Sequence, residues 1–255
     1  MQLALPILAL LLVGGASCFA QVANTGNTSN LALVSKYGGA YFYTSSAGAA
    51  TAIVIDGANQ YHGFPITSVA GALSGWTHKV GARATVSAVA DNAGGTILVT
   101  TSAPHGFDVG DYVCHTGFTT RTTYQGKYRV LTTPLTTTYT VTRAYETSTD
   151  TGFAQRSFSL TAGTGSAGTY LINFSSSIQA DANTTDLRLE ANKNATDLDN
   201  IAAQVLFSTQ NRPGVLSASG LVTIADGDTI YVSIKNLTDA GDIKIWLANL
   251  VVTRL

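Results

Sequence analysis

At 255 residues the chain has length for one or two domains with an ample core, and its two cysteines, Cys18 and Cys114, form neither a disulfide framework nor a zinc-type spacing. Only 11% of the residues are charged and 45% are hydrophobic, for a net charge of -1. So balanced a chain has no basic field for gripping phosphates, which excludes nucleic acid as a partner, and so few charges leave strand edges weakly protected and favour burial of surface in an oligomer.

Residues 1–20 open with an apolar run, Leu3 to Val13, followed by small residues up to Ala20. The run is too short to span a bilayer comfortably, and three readings fit it. A secretion signal cut after Ala20 fits the small residues, although the first cation is Lys36; a lipoprotein site fits Gly15-Ala16-Ser17-Cys18, with glycine where leucine is preferred; an uncleaved anchor packed among symmetry mates fits the apolarity. Residues 21–36, rich in Asn, Thr, Ser and Gly, read as a linker. Residues 37–83 then carry short strands at Gly39–Tyr43 and Thr51–Ile55, continued by Gly63-Phe64-Pro65-Ile66 and Gly75-Trp76-Thr77.

Residues 84–150 form a unit with its own turns. Strands at Val86–Asp91, Gly95–Thr101, Tyr112–Val113, Tyr124–Val130 and Thr138–Val141 are separated by Gly-Gly, His-Gly, Gly-Asp and Gln-Gly, which predicts a small inserted β-barrel. Residues 151–255 alternate with a period of two: Tyr170, Ile172, Phe174 and Ile178; Leu187, Leu189 and Ala191; Ile230, Val232 and Ile234; Ile243, Ile245 and Leu247. Turns at Asp226-Gly227-Asp228 and Ala240-Gly241-Asp242 part the later strands, and the alternation loses phase near Asn249, where a bulge is expected. The fold class is all-β, an antiparallel sandwich interrupted by a barrel and preceded by a short hydrophobic segment.

Gly168–Ser175, Ser217–Val222, Gly227–Ile234 with Asn236-Leu237-Thr238, and Ile243–Leu255 resemble, in that order, the later strands of the complement-type, tumour-necrosis-factor-like jelly roll, in the version found in tailed-phage virion proteins. The strand and turn order of residues 84–150 resembles a β-module of phage tail and fibre proteins labelled after the first cysteine half-domain of ubiquitin-activating enzymes. The first resemblance implies a jelly-roll sandwich assembled as a homotrimer. The second implies no catalytic role for Cys114, which reads as a small buried hydrophobe.

The remaining motifs read as structure. Gly163-Thr164-Gly165-Ser166-Ala167-Gly168 matches a dinucleotide fingerprint as a string but leads into a strand, so it reads as a turn. Asp108 with Asp111, Asp226 with Asp228, and Asp239 with Asp242 stand at strand entrances and read as turn residues, with calcium the alternative. His62, His78, His105 and His115 have neither zinc nor triad spacing, and the Asn-x-Ser/Thr triplets at Asn27, Asn173, Asn183, Asn194 and Asn236 matter only in a glycosylating pathway. Tyr231 and Trp246 fall out of phase with Ile230, Val232 and Ile245 and are expected to face outward at a trimer interface. No catalytic, cofactor or metal residue is expected. The expected role is a non-enzymatic virion component, a fibre, spike or capsid decoration protein, whose partners are itself, other virion proteins and a host-surface glycan or protein. The alternative is a secreted or outer-membrane, lipid-anchored bacterial adhesin or lectin-like protein.

Overall fold

Alternating apolar residues in the C-terminal region close two antiparallel sheets over one core. The computed structural model describes residues 51–64, 75–147, 149–183, 185–209 and 211–255. Segment 1–20 with Cys18, linker 21–36 with Asn27, the strand expected at Gly39–Tyr43, and Pro65-Ile66 lie outside the described residues. In chain order the strands are β1 (Thr51–Ile53), β2 (Tyr61–Gly63), β3 (Trp76–Lys79), β4 (Ala82–Asp91), β5 (Thr96–Thr101), β6 (Tyr112–Thr116), β7 (Gly126–Arg129), β8 (Thr132–Leu135), β9 (Thr138–Thr142), β10 (Gly152–Arg156), β11 (Ser159–Ala162), β12 (Gly168–Ala180), β13 (Thr185–Lys193), β14 (Thr196–Phe207), β15 (Pro213–Ile224), β16 (Thr229–Asn236) and β17 (Ile243–Arg254).

One sheet runs β1-β17-β12-β15 and the facing sheet β14-β13-β16-β11-β3, with β2 also paired to β16. Between them Tyr170, Ile172, Phe174 and Ile178 meet Leu187, Leu189, Ile230, Val232 and Ile234 in a single apolar cluster. Each such side chain withdrawn from water contributes roughly 1.5–3 kcal/mol. Phe64 and Trp76 join that core edge-on to Phe174 and Tyr170, at 5.5 and 5.3 Å between ring centres. The result is an all-β, jelly-roll-like sandwich.

A third sheet, β7-β6-β10-β4-β5-β9-β8, encloses its own cluster around Val86, Ile97, Val113, Tyr124 and Tyr139. Its two edges are joined by one continuous segment: Val130 N–H donates to the Asp111 carbonyl at 2.8 Å and Leu131 N–H to the Thr140 carbonyl at 2.9 Å. Adjacent residues thus continue the β7–β6 pairing on one side and the β8–β9 pairing on the other, so edge strand β7 runs directly into edge strand β8 and the sheet curls into a barrel; Pro134 sits on β8, where no ladder bond is lost. The barrel also takes β10, which sequence reasoning places with the sandwich, because β10 pairs with β4 on one side and β6 on the other.

At Gly152 β10 begins tight against the end of β6. A Cβ there would stand 2.6 Å from the Thr116 carbonyl and 2.8 Å from the Phe118 ring. Gly152→Ala should therefore destabilise the chain by about 1–3 kcal/mol, read as a lower urea midpoint. An unchanged midpoint would mean that the two strands can part without loss.

The expected bulge lies a few residues earlier than Asn249. Ser177 pairs with Leu247 and Ile178 with Ile245, which leaves Trp246 as the extra residue. Ile243 and Ile245 are buried in one phase, Ala248, Leu250 and Val252 in the other, so the flip must fall between Ile245 and Ala248. Apolar Leu247 carries the first phase on in the sequence and disguises it.

Candidate functional site

Strand β16 is buried on both faces. Ile230, Val232 and Ile234 face the sandwich core, while Tyr231 and Ser233 lie under the barrel. Tyr231 is 2% exposed and stacks on Tyr112 of β6 at 5.9 Å, its hydroxyl without a hydrogen-bond partner; burial holds its pKa well above the usual tyrosine range. Tyr231 is therefore not an outward subunit contact: the aromatic expected outside is covered by the chain's own barrel. Trp246, the other expected interface residue, is the bulge residue of β17, and its side chain lies outside the described residues.

The seam between barrel and sandwich holds three clusters of polar and charged side chains. In its first cluster Lys127 Nζ of β7 donates to Glu190 Oε1 at 2.9 Å, to Asn192 Oδ1 at 2.5 Å and to Asp197 Oδ1, and stands 3.5 Å over the Tyr61 ring. Lys235 Nζ lies 3.9 Å from the centre of that ring, and the Tyr61 hydroxyl donates to Asp197 Oδ2 at 3.0 Å. Burial would raise the Asp197 pKa, but the Lys127 ammonium outweighs it and holds the carboxyl below the usual range. Burial lowers the pKa of Lys235. Asn192 and Asp197 reach one lysine because they pair across β13 and β14, where the ladder breaks register between Glu190 and Asn192.

The second cluster centres on Asp56, which accepts from Arg83 Nη2 at 2.7 Å and Thr116 Oγ1 at 2.5 Å. Burial again opposes ionisation, and these partners, with His62, bring the pKa below the ordinary value. His62 Nε2 accepts the Asp56 backbone N–H at 3.0 Å and its Nδ1 lies 2.9 Å from the Gln60 carbonyl, which calls for the Nδ1–H tautomer. The pair is thus a hydrogen-bonded turn. In the third cluster buried Asp111 is shared by Arg156 Nη1 and Lys79 Nζ, each at 2.5 Å.

Most of the other acids and histidines singled out in the sequence have structural partners. Asp226 accepts from the backbone N–H groups of Gly165 and Ala167, each at 2.8 Å, so a carboxylate occupies the glycine-rich turn where a phosphate reading would need an anion from outside. Asp228 accepts from Ala225 N–H at 2.8 Å and Asp239 from Gly241 N–H at 2.7 Å, as turn residues do, and Asp242 Oδ1 accepts from Ile55 N–H at 3.0 Å. His105 takes the Phe107 N–H at 2.9 Å, and His115 bonds the Tyr139 hydroxyl at 2.8 Å inside the barrel. Burial pushes the Cys114 thiol up to about 12, which leaves it no thiolate at neutral pH. Asn236 is buried and bonded to Asp239 and the Gly241 carbonyl, closed to a glycan.

One surface escaped the sequence reading. Strands β14 and β15, each 12 residues long, end their respective sheets and lie against one another, Asn200 Nδ2 donating to the Leu221 carbonyl at 3.3 Å, although no ladder joins them. Leu206, Val215 and Leu221 are exposed there, and Val215, Ser217, Ser219, Leu221 and Thr223 line the outer face of β15. The signal was present: from Asn200 to Ile224 the only charged residue is Arg212.

Strand order thus defines a class, the all-β jelly-roll-like sandwich, here with a barrel seated on one sheet. No family model matches the chain, and no curated protein matches it. Among solved structures it is similar to Eiger TNF from S. frugiperda, with 14% identity over 69% of this chain and 91% of that one at a TM-score of 0.30. It is also similar to latent PorU from Porphyromonas gingivalis, with 9% identity over 68% of this chain and 24% of that one at 0.27, and to the delta-endotoxin Cry8Ea1 from Bacillus thuringiensis, with 8% identity over 85% and 52% at 0.25. The fold class rests on the strand order and not on these alignments.

Proposed function

We propose that the protein is a non-enzymatic, self-associating structural or receptor-binding component of a tailed-phage virion, a fibre, spike or capsid decoration protein. The observation that carries self-association is the outer face of the uncharged, 12-residue strand β15, where Val215 and Leu221 are exposed, beside exposed Leu206 of β14. Surface strands are ordinarily short or blunted by charge, because a long uncharged strand invites association with other chains. A closed ring of copies removes that hazard, and threefold closure is what the resemblance of the late strands to the complement-type jelly roll implies. The tandem resemblance of sandwich and barrel to phage proteins supports the virion, with other virion proteins and a host-surface glycan or protein as further partners. That Asp228 and Asp239 are bonded within turns, and His62, His105 and His115 are buried and hydrogen-bonded, supports a role without catalysis.

The full chain should sediment at three times its own mass, and Val215→Lys with Leu221→Lys should sediment as a monomer of unchanged circular dichroism. A monomeric parent sinks the reading. The second reading, a secreted or lipid-anchored bacterial binding protein, draws on Leu3–Val13 and Gly15–Cys18. A mature chain starting at Gln21, or at a lipidated Cys18, would favour it over the virion.

A further inference from the structure

We propose that Lys127 and Asn192 join in a self-formed amide bond, with Glu190 as the acid–base group, tying the barrel covalently to the sandwich. Lys127 is an unusual lysine: its side chain is 6% exposed and its nitrogen touches a carboxamide, two carboxylates and an aromatic ring at once. An ammonium has three protons to donate, and here every direction open to it ends on a group able to take one. Asn192 is wholly buried, and its Nδ2 is held by the Glu190 carbonyl at 3.1 Å and by Ser233 Oγ at 2.9 Å. Those bonds turn Oδ1 of the amide toward Lys127. The nucleophile and its target are therefore fixed in contact by residues whose own positions are set by β13 and β16.

The chemistry follows from that placement. Lys127 gives a proton to the Glu190 carboxylate, and the neutral Nζ attacks Cγ of Asn192. The bond from Cγ to Nδ2 breaks as Glu190 returns the proton to Nδ2, with Ser233 in reach of the departing group, and the second proton shed by Nζ as the amide forms passes by the same carboxylate to the ammonia. The ammonium and the carboxamide become a secondary amide and an ammonium ion, so atoms and charge balance without any co-reactant. Held neighbours react as if at effective concentrations of about 10⁵ M or more, and a dry site protects the amide from hydrolysis. A buried ion is replaced by a neutral amide, which a low-dielectric seam favours. Asp197 is the poorer target, because a carboxylate anion repels attack and would have to expel an oxide ion. Its side chain is 33% exposed, which marks the way out for ammonia.

The test is peptide mapping of the full chain, unfolded and digested with trypsin, by fragmentation mass spectrometry. The expected product is a branched peptide joining Lys127 to Asn192, about 17 Da lighter than its two parts together, with no cleavage after Lys127. Glu190→Gln, Asn192→Ala and Lys127→Arg should each give only linear peptides. Linear peptides cut after Lys127 in the parent chain would overturn the proposal, as would a branch at Asp197, about 18 Da lighter than its parts. A Glu190→Gln chain that is fully joined would overturn the role of Glu190.

Discussion

Replacing Arg156 with methionine should lower the stability of the folded chain by about 3–5 kcal/mol, on the order of 10 °C in Tm. Arg156 closes β10 at the seam. Its Nη1 donates to Asp111 Oδ2 at 2.5 Å and to the Gly106 carbonyl at 2.8 Å, and its Nε to the Val80 carbonyl at 2.9 Å. Methionine keeps most of the volume and removes all three bonds, leaving the buried Asp111 carboxylate with Lys79 as its remaining cation. The loss is that of a stranded charge and two stranded carbonyls, not merely of a pair. Arg156→Lys, which keeps the charge but not the planar fork, should lie between parent and methionine variant. Adding Asp111→Leu to the methionine variant should recover part of the loss, since no charge is then left behind. A methionine variant within 1 kcal/mol of the parent by urea unfolding would show that water reaches the seam and compensates Asp111.

What the sequence could show depended on whether the burying partner was local. Strands β12 and β13 and the inner face of β16 were legible, because Tyr170, Ile172, Leu187, Leu189, Ile230 and Val232 alternate with polar neighbours against one core. The outer face of β16 was not. Tyr231 and Ser233 look like solvent-facing residues until the barrel, separate in sequence, is laid over them. Nor can periodicity pair Lys127 with Glu190, Asn192 and Asp197, which lie 63 to 70 residues away. Strand β10 looks like the start of the sandwich because chain order places it there, yet it hydrogen-bonds backward to β4 and β6. The exposed apolar face of β15, by contrast, could have been flagged from the scarcity of charge between Asn200 and Ile224.

The barrel should be acid-sensitive through His115, over a range where the carboxylates are still silent. Full burial pushes the His115 pKa from 6.5 down to about 3, because the imidazolium has no water around it in the barrel core. The unfolded chain therefore binds one more proton than the folded chain between those values. Stability is full above pH 6.5 and falls with pH by about 1.4 kcal/mol per unit, for a loss of about 3 kcal/mol by pH 4.5. Asp56, Asp150 and Asp197 have folded pKa values held below 3.8, so their contributions are lost only at lower pH. His115→Gln keeps a side chain able to bond the Tyr139 hydroxyl, 2.8 Å from the imidazole, but removes the titrating group. Urea midpoints taken at intervals from pH 7.5 to 4.5 should converge, the parent starting more stable and losing its advantage as the pH falls. A stability difference that stays constant across that range would mean that His115 is protonated without opening the barrel, and that water reaches the core beside Tyr128 and Phe118, whose ring centres lie 4.7 and 5.8 Å from that of His115.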